Sequence, residues 1–199
     1  MHDERQAFFD RLASEWDHGF STEHFDRISR ILDSMTIRPG FQVLDLGCGT
    51  GVLFGYLKRK VGESGSITGI DFSLRMACTA RQNFPAENIN VIAADVSALP
   101  FADRRFDLAV AFQSFPHFAD KGKALEEMHR VLKSGAAVWV VHLESSEELA
   151  NHHRRHGGVV AGDVLPAPQE MKRLMTANGF CRVVIQDDPH LYLASAVNT

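Results

Sequence analysis

From residue 40 onward, short apolar runs alternate with segments whose apolar positions recur at helical spacing. "FQVLDL" (41–46), "SITGID" (66–71), "INVIAA" (89–94), "FDLAVAF" (106–112) and "AAVWVVH" (136–142) predict strands, short and almost continuously apolar as buried parallel strands are. "VLFGYLKRK" predicts a helix after the first strand, and "SLRMACTARQNF", with Ser73 as N-cap, one after the second. "KALEEMHRVLK" precedes the fifth and sets Leu125, Met128 and Leu132 on one face. The alternation predicts an α/β fold, a parallel sheet with helices on both sides. Residues 3–16 and 22–35 predict two helices ahead of the sheet. The tail "GFCRVVIQDDPHLYLASAV" predicts an antiparallel pair of strands separated by Asp187, Asp188 and Pro189. No repeat or long linker divides the 199 residues, which predicts a single domain over 1–199.

The sharpest chemical signal is "VLDLGCGTG", residues 43–51, where a buried strand runs into a glycine-rich turn and then a helix. Gly47, Gly49 and Gly51 permit a close approach that side chains would block. The spacing is GxGxG rather than the GxGxxG of dinucleotide sites. Asp45, two residues before the first glycine, would repel a pyrophosphate but attract an ammonium group. S-adenosylmethionine carries that ammonium and no phosphate. Asp71 ends the second strand about 20 residues further on, where a carboxylate can accept hydrogen bonds from both ribose hydroxyls. "AADVSALPF" places Asp95 at the end of the third strand, within reach of an adenine amino group, and "FQSFPHF" ends the fourth.

This ordered set resembles the class I S-adenosylmethionine-dependent methyltransferases, and within them the small "type 11" group that includes ubiquinone and menaquinone biosynthesis C-methyltransferases. The resemblance covers roughly residues 8 to 142, on "VLDLGCGTG", "GIDFS", "AADVSALPF", "FDLAVAFQSFPHF" and "ALEEMHRVLKSGA". It implies a Rossmann-like seven-stranded sheet of order 3-2-1-4-5-7-6 with the seventh strand antiparallel. It implies that Asp45, Gly47, Cys48, Gly49, Gly51, Asp71, Phe72, Asp95, Val96 and Gln113 form the cofactor site, with Cys48 packing on the cofactor rather than doing thiol chemistry. "FFDRLASEWDHGF" is similar to the group's opening helix and lid, with Trp16-Asp17 where relatives often have Tyr-Asp. Residues 1–36 would then be N-terminal helices and lid, with Trp16, His18 and Phe20 facing the substrate. Phe8, Phe9, Leu12 and Trp16 also read as the apolar stripe of an amphipathic helix.

Methyl transfer from a sulfonium asks the protein mainly for alignment and a dry pocket. A base is needed only where the acceptor must lose a proton. Ligands sit outside the carboxyl ends of parallel strands, which makes His117 and His142 the candidate catalytic residues. His117 also reads as a loop histidine bonded to backbone. The acceptor atom stays open among carbon, oxygen, nitrogen and sulfur, and a quinone-like ring is what the resemblance implies. S-adenosyl-L-homocysteine would be the product, and the chemistry requires no metal.

"NHHRRHGG", residues 151–158, ends a segment that predicts a helix from its own ends. Ser145 and Glu148 form a capping box, and Gly157 suits a left-handed position after the last turn. Acidic residues in the first turn and cations in the last complement the helix dipole. Two other readings stay open. His152 and His156, four apart, have metal-ligand spacing, with His142 and Asp163 as further candidates. Alternatively, Arg154, Arg155 and the histidines meet an anionic substrate. Residues 143–168 would form a substrate-side insertion, with "GGVVAGDVLPAP" as its mobile edge.

Composition narrows the field. The formal net charge is -4, with no long basic run, which argues against a nucleic-acid partner. No apolar run approaches the ~20 residues of a membrane span, and "MHDERQAFFD" is too charged for a signal peptide. Three scattered cysteines fit a cytoplasmic protein. The expected partner is a small-molecule acceptor, and a homodimer is compatible with the chain. A cofactor-binding protein without catalysis would share these motifs. A nicotinamide-dependent oxidoreductase is disfavoured by Asp45 and the glycine spacing.

Overall fold

The computed structural model describes residues 2–199. Its strands are β1 (Gln42–Leu46), β2 (Ser66–Asp71), β3 (Ile89–Ala93), β4 (Phe106–Phe112), β5 (Leu132–His142), β6 (Phe180–Asp188) and β7 (Leu191–Asn198). Its helices are α1 (His2–Leu12), α2 (Thr22–Ser34), α3 (Phe54–Val61), α4 (Leu74–Asn83), α5 (Lys121–Val131), α6 (Ser146–His156) and α7 (Pro168–Ala177). The strands form one sheet in the order β3-β2-β1-β4-β5-β7-β6, with β7 antiparallel to both neighbours. Fold and strand order are those expected.

The two-residue period of the strands divides the core between the faces of the sheet. In β4, Ala109 and Ala111 join Leu125, Met128, Met171 and Met175 from α5 and α7. Leu108, Val110 and Phe112 point the other way, toward Leu32, Phe54, Leu57, Ala77 and Ala80 from α2, α3 and α4. A third cluster of Phe9, Ala13, Met76 and Val160 lies under α1. The first two clusters fix the sheet, and the third fixes α1 over its carboxyl ends.

Several boundaries differ from the sequence reading. The first helix stops at Leu12, and a 3-10 turn spans Trp16–Gly19. The fifth strand begins at Leu132 rather than 136, because Leu132 leaves the helix with extended φ and ψ and pairs with Phe106. β6 runs through Asp187 and Asp188, so the turn falls at Pro189 and His190. Helix α7 was not anticipated, although Pro168 at its start and the buried pair Met171 and Met175 are ordinary helix signals. Ser73 caps α4, and Ser145 with Glu148 forms the expected capping box on α6. Gly157 has the expected positive φ of 66° but an extended ψ of -159°. The segment expected as a mobile edge is anchored by buried Val160, Asp163 and Leu165. Among the described residues, no helix is long and apolar enough to cross a membrane.

Candidate active site

A cleft of about 830 Å³, its open mouth included, lies at the carboxyl ends of β1, β2 and β4 beneath α1. Gly47, Cys48, Gly49, Asp71, Phe72, Asp95, Val96 and Gln113 all line it, together with Trp16, Phe20 and His117. The sequence reading therefore brings most of its candidates to one place.

The glycine turn is shaped for close approach. Gly47 has φ +70°, and a Cβ there would lie 2.3 Å from the Ser114 Cβ. Ser114 is in turn fixed by its hydroxyl, which donates to the Leu46 carbonyl at 2.6 Å. The Gly49 N–H donates to Asp71 Oδ2 at 2.9 Å, and the Ser73 N–H to Asp71 Oδ1 at 2.9 Å. Each carboxylate oxygen keeps a second acceptor direction for a ligand hydroxyl. Burial raises the Asp71 pKa to about 6; the two N–H bonds restrain the rise, and the Asp10 charge adds to it. Asp95 Oδ1 accepts from the Ser97 N–H and hydroxyl, each at 2.7 Å. Gln113 sits in the left-handed region at φ 55°, a costly conformation for a non-glycine residue that marks functional sites.

Asp45 departs from the expectation that it faces the cleft. It lies inside β1 between Gly69 and Val110 and is 1% exposed. Neither carboxylate oxygen has a hydrogen-bond partner among the described residues. Burial and the neighbouring Asp71 raise its pKa to about 8. A buried acid without a partner is costly, and a cationic group arriving above it would relieve that cost. The cleft thus fits an aminoacyl nucleoside, with the orphaned carboxyl below the turn and Asp71 at its edge. Burial, and then the charges of Asp71 and Asp45, hold the Cys48 thiol well above its ordinary pKa, so it stays protonated. Gly51 also lies off the cleft, where a Cβ would meet Phe54 at 2.8 Å; it seats the turn on α3.

The two candidate catalytic histidines separate. His117 faces the cleft, and its Nδ1 lies 2.7 Å from Asp163 Oδ2. Asp163 Oδ1 accepts from Arg5 Nη2 at 2.8 Å. Burial outweighs the pull of Asp163 and, with the charges of His153 and Arg5, keeps the His117 pKa below its ordinary value. A neutral imidazole donating from Nδ1 to the carboxylate leaves Nε2 as a proton acceptor. His142 does not reach the cleft: it is 1% exposed at the end of β5, and both ring nitrogens are unpartnered among the described residues. Burial, followed by the charges of His117 and His153, depresses its pKa strongly, and it stays neutral.

The histidines of α6 also divide. Leu149 and His153 turn inward, and His153 Nδ1 lies 2.6 Å from the Asp163 carbonyl. His152 and His156 do share a face, with rings stacked at 4.6 Å, but that face is exposed. They line a separate outer groove with Arg155, Glu144 and His190. His142 lies instead with the inward group, so the ligand set of His142, His152 and His156 is not assembled. No three His, Cys, Asp or Glu side chains among the described residues are placed to hold a metal ion. His18 is exposed and off the cleft.

Sequence reading missed Arg5 and did not place Asp163 beside His117. It named Phe9 in the apolar stripe of the first helix but did not place its ring 5.0 Å from that of His117 and 5.9 Å from that of Trp16. His117, with Asp163 at its Nδ1, and the aromatic walls therefore face the same space as the glycine turn.

Comparison with known proteins gives a consistent picture. The methyltransferase-domain family pattern matches residues 43–135. A 2-phytyl-1,4-naphtoquinone methyltransferase of a Nostoc species is 37% identical over 149 residues, 68% of this chain and 63% of that protein. The protein of the same name from Nostoc punctiforme is 35% identical over 75% of this chain and 69% of its own length. The chain thus spans less than two thirds of the first of these relatives. A SAM-dependent methyltransferase from Aquifex aeolicus superposes with a TM-score of 0.77 over 96% of this chain and 98% of its own, at 21% identity, and shares the fold.

Proposed function

We propose a methyl-transfer reaction for this chain, which belongs to the class I S-adenosylmethionine-dependent methyltransferase family, with a small hydroxyl-bearing aromatic ring as acceptor. The observation that carries the proposal is the shared space: Asp71, the glycine turn and His117 border one aromatic cleft, and Asp163 meets the Nδ1 of His117. When bound, S-adenosylmethionine supplies a methyl group activated by the sulfonium charge and departs as S-adenosylhomocysteine. Asp71 would hold the ribose hydroxyls, the Gly47–Gly49 turn the aminoacyl end above Asp45, and Asp95 with Val96 the adenine. Trp16, Phe20 and Phe9 would exclude water, with α1 serving as the lid.

His117 does the remaining work. Its Nε2 takes the proton of the acceptor hydroxyl, and the freed electron pair lets the oxygen, or a ring carbon conjugated with it, displace the methyl from sulfur; after attack from carbon the proton on that carbon is lost and the hydroxyl is restored. Asp163 fixes the tautomer and stabilises the imidazolium that forms. The aromatic walls favour a flat ring, and relatives named as acting on a phytyl-naphthoquinone support a reduced quinone as acceptor. Cytoplasmic residence belongs to the same reading, supported by the exposed free thiols of Cys78 and Cys181. The test is transfer of a labelled methyl to a panel of a 1,4-naphthohydroquinone, a catechol, a primary amine and a thiol. Label is expected on the hydroxyl-bearing rings. Label confined to the amine or thiol would overturn the acceptor class, and tight S-adenosylhomocysteine binding with no label on any acceptor would favour a binding protein.

A further inference from the structure

We propose that Arg5 is a positioning residue that couples docking of α1 to the proton-accepting state of His117, through the carboxylate they share. This rests on the reading of His117 as the base. Arg5 Nη2 donates to Asp163 Oδ1 at 2.8 Å, while Asp163 Oδ2 faces His117 Nδ1 at 2.7 Å. One carboxylate therefore serves a cation from α1 with one oxygen and the imidazole with the other. Arg5 also donates to the backbone carbonyls of His117 at 3.0 Å and Val159 at 3.3 Å, tying α1 to both segments.

The electrostatic consequence follows from the count of charges. With Arg5 docked, Asp163 is already balanced and does not force a proton onto His117. With Arg5 withdrawn, a lone buried carboxylate faces the ring and favours the imidazolium, which cannot accept a proton. Among the described residues, the other titratable groups near His117 lie off α1: His153 on α6, His142 at the end of β5 and Lys121 at the start of α5. Lys121 is held by the carbonyls of Pro116 and Phe118, and His153 by the carbonyl of Asp163. Among the described residues, Arg5 is thus the charge that α1 brings to the Asp163–His117 pair.

Other contacts hold α1 and the turn after it without Arg5. Asp10 accepts from the Ser73 hydroxyl and the Arg75 N–H, and the Thr50 hydroxyl donates to Asp17. Removing Arg5 should therefore leave α1 attached. The test is an NMR titration of the His117 ring in full-length protein saturated with S-adenosylhomocysteine, comparing wild type with Arg5→Gln and Arg5→Lys. Arg5→Gln is expected to raise the His117 pKa by about one unit and to move the acid limb of kcat upward with it. Arg5→Lys, which restores the charge, should return most of the shift. Should Arg5→Gln not fold, Arg5→Met keeps the apolar stem packing and serves the same titration. An unmoved His117 pKa in the uncharged variants, with only weaker ligand binding, would reduce Arg5 to an anchor and overturn the proposal. If His117→Ala leaves kcat intact, the base reading fails separately, while the titration still decides the coupling.

Discussion

Asp71→Asn should weaken S-adenosylhomocysteine binding by roughly 100-fold or more. Two hydrogen bonds from a ribose diol to a buried carboxylate are together worth about 3 kcal/mol or more, and about 1.4 kcal/mol corresponds to a factor of ten. The substitution also puts an NH2 group where an acceptor is needed. In either amide orientation, Gly49 or Ser73 would face a donor instead of an oxygen. The glycine turn and the start of α4 are thus disturbed together. The pH dependence has a definite sign. The ionised form binds, and its pKa is raised to about 6. The Asp71 contribution to wild-type affinity should therefore be full near pH 8 and fall as the pH drops through 6. The variant should lack this dependence. Calorimetric titration at several pH values measures both effects, and a variant that binds as tightly as wild type would remove Asp71 from the site.

His117→Ala should lower kcat by about 10²- to 10⁴-fold, the range for loss of a general base. Binding of S-adenosylhomocysteine should change little, because the cofactor is assigned to the glycine turn, Asp71 and Asp95. Asp163→Asn should lower kcat as well, since a neutral amide can fix the wrong tautomer and gives no charge to balance the imidazolium. Activity should rise with pH through the His117 pKa, which burial places below the ordinary histidine value. Steady-state kinetics with a phenolic or hydroquinone acceptor separate the effects. An unchanged kcat in His117→Ala would leave alignment alone as the protein's contribution.

What was legible in the sequence was local. The strands, the caps on α4 and α6 and the glycine turn all declare themselves within a dozen residues of chain, and the resemblance supplied the strand order. The partners of His117 are another matter. Asp163 is 46 residues away and Arg5 is 112, and neither sits in a motif that advertises its destination. Spacing correctly put His152 and His156 on one face of α6, but spacing alone does not say which face meets the protein. Leu149, the large apolar residue of that helix, marks the inward face, and His153 lies four residues after it. That signal was present and would have singled out His153. Asp45 shows a different gap. Its type and position suggested a cation, yet its burial, with both oxygens unpartnered among the described residues, depends on how β1 sits between β2 and β4.

The most direct measurement is isothermal calorimetry of the purified protein with S-adenosylhomocysteine and, separately, with NAD. The account predicts one site for the sulfur nucleoside with a Kd on the order of 10 μM or tighter, and no heat from NAD. Silence toward the sulfur nucleoside at millimolar concentration, with saturable NAD binding in the same cleft, would contradict it.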